Sequence, residues 1–196
     1  MFNEISPSMK AVMERLEQRD HEDRHDGTPH LERLRQIPPE TGKFLAIMAA
    51  GAPDGAWIEV GTSAGYSSMW LSLACRAVRR QLTTFEVLPF KAVMARANLS
   101  ESQVDDVITL IEGDFLDAAD QLGPISFCFL DAEKDVYEAC YAVVVPLLVS
   151  GGILICDNAI SHQSDLQPLI DRASSDPRLD SVVVPIGKGE LVCRKL

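Results

Sequence analysis

A chain of 196 residues with 46% hydrophobic content is long enough for one substantial core and short for two. Its 18 basic and 29 acidic residues leave a net charge of −11, no footprint for a phosphate backbone or an anionic bilayer, so nucleic-acid and membrane partners are demoted. The opening residues MFNEISPSMK lack a basic region, apolar core and cleavage site, and no apolar run approaches a membrane span, so the chain reads as cytoplasmic.

In chain order, residues 14–35 are dominated by charged side chains. Residues 1–36 are therefore read as a charged helical extension, either a solvated face or a lid over a ligand crevice. A linker and a helix opening at Pro38 or Pro39 follow, since proline is favoured in a first turn. From residue 56 short β-rich runs alternate with amphipathic stretches, the pattern of an α/β fold: a doubly wound, mostly parallel sheet with helices on both faces. Strands are predicted at 56–61, 82–87, 108–113, 126–132 and 151–158, and helices at 65–79, 89–101, 114–121, 133–149 and 163–175. SVVVPIG and GELVCRKL, around Gly187-Lys188-Gly189, read as a closing hairpin. The five cysteines are odd in number, widely spaced and mostly set in apolar runs, so they read as reduced core thiols.

In such a sheet ligands sit beyond the carboxyl ends of the strands where strand order reverses, which chain order puts between the first strand and the fourth. At the first strand, EVGTSAGYSS carries Glu59, then Gly61 and Gly65, then Tyr66, Ser67 and Ser68 opening a helix with free N–H groups. The turn suits a nucleotide-like ligand, although G-x-x-x-G departs from the dinucleotide fingerprint and no P-loop lysine follows. The second strand ends in Glu86, 21 residues after Gly65, where a carboxylate can accept both hydroxyls of a ribose. At the third, Gly113, Asp114 and Phe115 are placed to line an adenine, with Asp114 equally natural as a cap. The fourth ends in Asp131 and the fifth in Asp157-Asn158, a hard-oxygen set suited to Mg²⁺ or another divalent cation. His162 reads as a surface or helix-start residue.

WIEVGTSAGYSSMWLS, FEV, EGDF, FLDAEKDVYEACYAVVVPLLVSGGILICDN and PIGKGELVCRK together resemble the motifs of the S-adenosylmethionine-dependent O-methyltransferases of the catechol and caffeoyl-CoA type, over about residues 37–196. The resemblance implies a Rossmann-like sheet of seven strands whose C-terminal hairpin strand is antiparallel. It implies that Glu59, Gly61, Gly65, Tyr66 and Ser67 hold the methionine part of S-adenosylmethionine, Glu86 the ribose, and Gly113, Asp114 and Phe115 the adenine, with Asp131 beside them. Asp131, Asp157 and Asn158 match the metal ligands, and Lys134 matches the lysine that serves catechol enzymes as general base. A lysine at a helix N-terminus beside a metal is expected to shift toward its neutral form; the alternative is a solvated residue paired with Glu138. The implied acceptor is a small hydroxylated molecule, catechol-like or vicinally dihydroxylated, and the implied assembly a possible homodimer. The charged N-terminal region and the short 159–180 connection depart from the family and leave the acceptor side open. Three rivals stand beside this reading: a metal-independent methyltransferase, an NAD-linked oxidoreductase and a non-catalytic S-adenosylmethionine sensor.

Overall fold

Strands in the middle of a parallel sheet are covered on both sides, so their sequences run apolar without alternation. In the computed structural model, which describes residues 4–196, this is how Trp57-Ile58-Glu59-Val60 and Ile125–Leu130 sit, buried at every one of those positions. The described residues form α1 (Pro7–Asp23), α2 (Pro39–Ala50), β1 (Ala56–Val60), α3 (Tyr66–Val78), β2 (Leu82–Glu86), α4 (Pro89–Glu101), β3 (Ile108–Glu112), β4 (Ile125–Leu130), α5 (Tyr137–Leu147), β5 (Leu148–Cys156), α6 (Gln163–Ser175), β6 (Leu179–Val184) and β7 (Glu190–Lys195). Among them the seven strands make one sheet in the order β3-β2-β1-β4-β5-β7-β6. β7 pairs antiparallel with both neighbours and the other pairings are parallel, so the expected Rossmann-like architecture is present and strand order reverses between β1 and β4.

Alternate side chains of the central strands feed two cores. Trp57, Phe127, Phe129, Ile153 and Ile155 pack toward one cluster with α1, α2 and α3, where Trp57 and Phe127 have ring centroids 5.9 Å apart. Ile58, Val60, Cys128, Leu130, Leu154 and Cys156 face the other, with Tyr137, Tyr141 and Val144 of α5 and Leu166 and Leu169 of α6. Each such side chain, fully buried, contributes about 1.5–3 kcal/mol of transfer free energy. All five cysteines are buried and free, their thiols pushed up by burial.

α1 also belongs to this core. Met9, Val12, Met13 and Leu16 recur at helical spacing and are buried in the first cluster. Ser6 caps the helix, its Oγ accepting from the Met9 N–H at 3.3 Å. Of the segment read as residues 1–36, residues 1–3 lie outside the described residues.

Most boundaries shift by one or two residues, and three differences go further. The stretch 133–149 divides into a 3₁₀ turn at Lys134–Val136 and α5, which stops at Leu147 because Leu148 turns extended and pairs with Ile125 in the sheet. β5 therefore starts three residues before the predicted 151. The stretch 114–121 is only a 3₁₀ turn, Leu116–Gln121, with no buried side chain to anchor a longer helix. Among the described residues no helix is long and apolar enough to cross a membrane.

Candidate active site

Near the end of β1 a carboxylate lies where no water reaches. Glu59 is fully buried; its Oε2 accepts from the Ser68 hydroxyl and, at 2.6 Å, from the Thr84 hydroxyl, while Oε1 has no partner among the described residues. Burial raises this carboxyl to about 7, against the pull of the Ser67, Ser68 and Thr84 hydroxyls. A carboxyl raised on folding gives its full stability below its ordinary value of 4.5 and loses it as pH climbs toward about 7. The ligand-free protein is thus expected to lose on the order of 2 kcal/mol of stability to urea between about pH 5 and pH 8, and Glu59→Gln to lose much less. Equal pH dependence in the two proteins would refute this account of Glu59.

Gly61 follows in a left-handed conformation, φ +101°, and a Cβ there would collide with the backbone carbonyl of Asp131. The ends of β1 and β4 therefore lie directly against each other. Gly65, at φ +88°, caps α3 and faces Leu99. Tyr66 starts α3 and gives its hydroxyl to Glu17 of α1 at 2.5 Å.

Glu86, at the end of β2, is 5% exposed and receives two backbone N–H groups, Ser63 at 2.6 Å on Oε2 and Leu88 at 2.9 Å on Oε1. These donors lock its rotamer and leave lone pairs free. Beyond β3, Phe115 is buried edge-on against Phe85, centroids 5.5 Å apart. Just before the 3₁₀ turn, Asp114 Oδ1 accepts from the Leu116 N–H at 2.9 Å.

At the ends of β4 and β5 the acidic groups meet. Asp131 donates its backbone N–H to Val60 O at 2.9 Å and Asp157 its own to Leu130 O at 3.0 Å, which ties the two carboxylates to adjacent strands. Lys134 turns back over them: its Nζ reaches Tyr137 OH at 2.8 Å, Ala132 O at 2.9 Å and Asp131 Oδ1 at 3.4 Å. The alternative partner, Glu138, is taken by Arg172 at 2.5 Å. Asp157 is fully buried, and neither of its carboxylate oxygens has a hydrogen-bond partner of good geometry among the described residues. Burial first, and Asp131 second, raise its carboxyl. Asn158, at φ +70°, donates its side-chain amide to Ser161 Oγ at 3.1 Å.

A cavity of about 1180 Å³ joins these strand ends. Gly61, Tyr66, Ser67, Glu86, Gly113, Asp114, Phe115, Asp131, Lys134 and Asn158 all border it. Glu59 and Asp157 lie buried behind its wall, and Gly65 packs away from it. His162 stands at its rim as the residue before α6.

Part of the segment read as either a solvated face or a lid borders the cavity as a strap, through contacts the sequence did not indicate. Residues 33–36 run over the cavity held by their backbone carbonyls: Arg33 O accepts from Lys91 Nζ at 2.9 Å, Leu34 O from Ser63 Oγ at 3.0 Å, and Arg35 O and Gln36 O from Lys188 Nζ at 3.4 and 3.2 Å. Arg35 adds an ion pair with Glu133 at 2.5 Å. Lys91 is 3% exposed, and burial lowers its pKa. No sequence motif announces these contacts.

Residues 4–196 match the profile of the O-methyltransferase family. A catechol O-methyltransferase of Mycobacterium tuberculosis is 31% identical over 126 residues, which cover 63% of this chain and 57% of that protein. A catechol O-methyltransferase of Niastella koreensis is 29% identical over 146 residues, covering 72% of this chain and 64% of its own length. The chain thus spans under two thirds of both curated relatives. An O-methyltransferase from Bacillus cereus, solved in complex with S-adenosylhomocysteine, shares the fold at a TM-score of 0.78 and 21% identity, with 95% of this chain and 91% of that one covered. A family profile matched from residue 4 to the last residue, on a sheet with this strand order, makes the chain a member of the S-adenosylmethionine-dependent O-methyltransferase family.

Proposed function

We propose that the protein moves the methyl group of S-adenosylmethionine to a hydroxyl of a small, catechol-like or vicinally dihydroxylated acceptor, assisted by a divalent cation. The observation that carries this reading is that Glu86 and Phe115, suited to a nucleoside, and Asp131, Lys134 and Asn158, suited to hydroxyl chemistry, border one cavity.

The donor side fits the residues present. Gly61, Tyr66 and Ser67 border a space for the methionine part, Glu86 keeps lone pairs free for the ribose hydroxyls, and Phe115 and Gly113 flank a space for the base. When bound, S-adenosylmethionine supplies an electrophilic methyl carried on a sulfonium.

A cation also fits. Asp157 buries two oxygens with no partner, an arrangement costly for a carboxylate unless a positive group faces it, and Asp131 and Asn158 bring further oxygen ligands to the same strand ends. A divalent cation would hold paired substrate oxygens and lower the pKa of the hydroxyl to be methylated. Lys134 then accepts the hydroxyl proton on Nζ, with Tyr137 OH and the carbonyl of Ala132 fixing the position of that nitrogen. The strap and the cavity wall exclude water and hold the acceptor in line, so orientation supplies much of the rate.

One observation favours the metal-independent alternative: among the described residues, no three His, Cys, Asp or Glu side chains converge closely enough to hold a metal ion. Titrating Mg²⁺ by calorimetry into protein saturated with S-adenosylhomocysteine separates the two. The expected result is uptake of about one equivalent, abolished in Asp157→Ala, together with cation-dependent methylation of a vicinal diphenol. Nucleoside binding and methyl transfer without cation uptake would leave the methyltransferase and remove the metal.

A further inference from the structure

Positive charge gathers under the strap, in a chain whose net charge is −11. Arg35, Lys91 and Lys188 all border the cavity there. Lys91 and Lys188 give their Nζ groups to neutral carbonyls, those of Arg33, Arg35 and Gln36, and neither forms an ion pair among the described residues. Two ammonium groups are therefore fixed in place without a carboxylate in contact to cancel them. Lys91 is buried and close enough to Arg35 for the two charges to oppose each other, with Glu86, Asp131 and Glu133 acting in the other direction.

Arg35 adds a guanidinium with donors left over. It takes a left-handed conformation, φ +54°, uncommon for a residue that carries a side chain. Its carbonyl, and not its side chain, ties the strap to Lys188. The side chain reaches Glu133 through Nη2 at 2.5 Å, while Nε is shut off from water and has no partner among the described residues. The other two arginines at the cavity are engaged, Arg24 with Asp20 at 2.7 Å and Arg33 Nε with Thr28 O at 2.7 Å. Arg35 and Glu133 are both partly exposed, and a pair so placed adds little to stability, so holding the strap does not account for the guanidinium. Glu133 lies between Asp131 and Lys134 in the chain, which sets Arg35 at the acceptor end of the cavity.

We propose that Arg35 is a specificity-determining residue for the acceptor, and that the preferred acceptor carries a carboxylate beside its hydroxyls: a vicinally dihydroxylated aromatic acid rather than a neutral diphenol. The inference rests on the reading of a hydroxylated acceptor beside Asp131 and Lys134. A planar fork of N–H donors matches a carboxylate through two parallel bonds, a geometry that a lysine does not supply. Lys91 and Lys188 offset the carboxylates of Glu86, Asp131, Glu133 and Asp135, which also border the cavity and repel an anion. The carboxylate of the methionine part of the donor is the competing anion, and the test separates the two.

The test compares catechol with protocatechuate, the same diphenol bearing a carboxylate, as acceptors for the wild-type protein, Arg35→Met and Arg35→Lys at neutral pH, beside a titration of S-adenosylhomocysteine. Arg35→Met keeps the apolar stem and removes the donors; it is expected to lower kcat/KM for protocatechuate about 10- to 100-fold, chiefly through KM, while catechol turnover and nucleoside affinity stay within about twofold. Arg35→Lys, which keeps the charge without the fork, falls between. A ratio of the two acceptors unchanged in Arg35→Met would overturn the proposal: both rates reduced alike would make Arg35 a residue that only holds the strap, and nucleoside affinity reduced with them would assign the guanidinium to the donor. Catechol methylated and protocatechuate refused by the wild-type protein would overturn this inference and leave the proposed function intact, whereas methylation of neither would overturn both. If Arg35→Met does not melt cooperatively, Arg35→Gln carries the same comparison with the same outcomes.

Discussion

Turnover in Lys134→Met falls by about 10²- to 10⁴-fold, the range for a general base, with the affinity for S-adenosylhomocysteine unchanged. Methionine keeps the length and apolar stem of the side chain and removes the nitrogen. The fold tolerates this because Tyr137, which loses Lys134 as a partner, still directs its hydroxyl to Leu130 O at 3.2 Å and Asp157 O at 3.3 Å. What disappears is the one basic nitrogen held 2.8 Å from Tyr137 OH beside Asp131 on the cavity wall. The residual rate is expected to rise with pH, as hydroxide does what the lysine did. Full turnover at neutral pH would rule out Lys134 as the base, and a parallel loss of nucleoside affinity would make its role structural. Stopped reactions across a pH series, beside a nucleoside titration, distinguish these.

Gly61→Ala is expected to be the most damaging single-methyl change in the chain. At φ +101° a side chain is strained by about 1–2 kcal/mol, and the added carbon meets the carbonyl of Asp131, a backbone atom that cannot swing aside. Overpacking against a rigid neighbour costs a further 1–3 kcal/mol or so. The sum, about 2–5 kcal/mol, corresponds in a domain of this size to a fall in melting temperature of roughly 5–15 °C. Because relief requires β1 and β4 to part, the protein that remains folded should also bind the nucleoside and any cation poorly. A melting temperature and nucleoside affinity equal to the parent would show that the two strand ends are not in contact as described.

The strand ends were legible because a parallel sheet writes them in sequence: an apolar run, then Gly, Asp or Glu, then a helix start. Asp131 and Asp157, 26 positions apart in the chain, could be placed side by side from strand order alone. The boundary at Leu148 was not legible, since Val144 to Leu148 is as apolar in a helix as in a strand and pairing with Ile125 decided the matter. Asp114 shows a limit of another kind: the same carboxylate suits a ligand or a local turn, and its Oδ1 accepts the Leu116 N–H at 2.9 Å while the residue also borders the cavity. A lid was one of two readings for residues 1–36, but the backbone contacts that hold the strap were not legible, because nothing that makes them is a motif.

That last fact bears on how the site could vary. All four carbonyls of residues 33–36 are gripped from below, by Lys91, Ser63 and Lys188, and the Leu34 and Gln36 N–H groups go to Asp23 and Asp20. The path of the strap is thus encoded in residues other than its own. Buried Leu34 and Gln36 apart, the side chains at 33 and 35 can change what the cavity mouth admits without removing the carbonyl contacts that set the route of the chain over it.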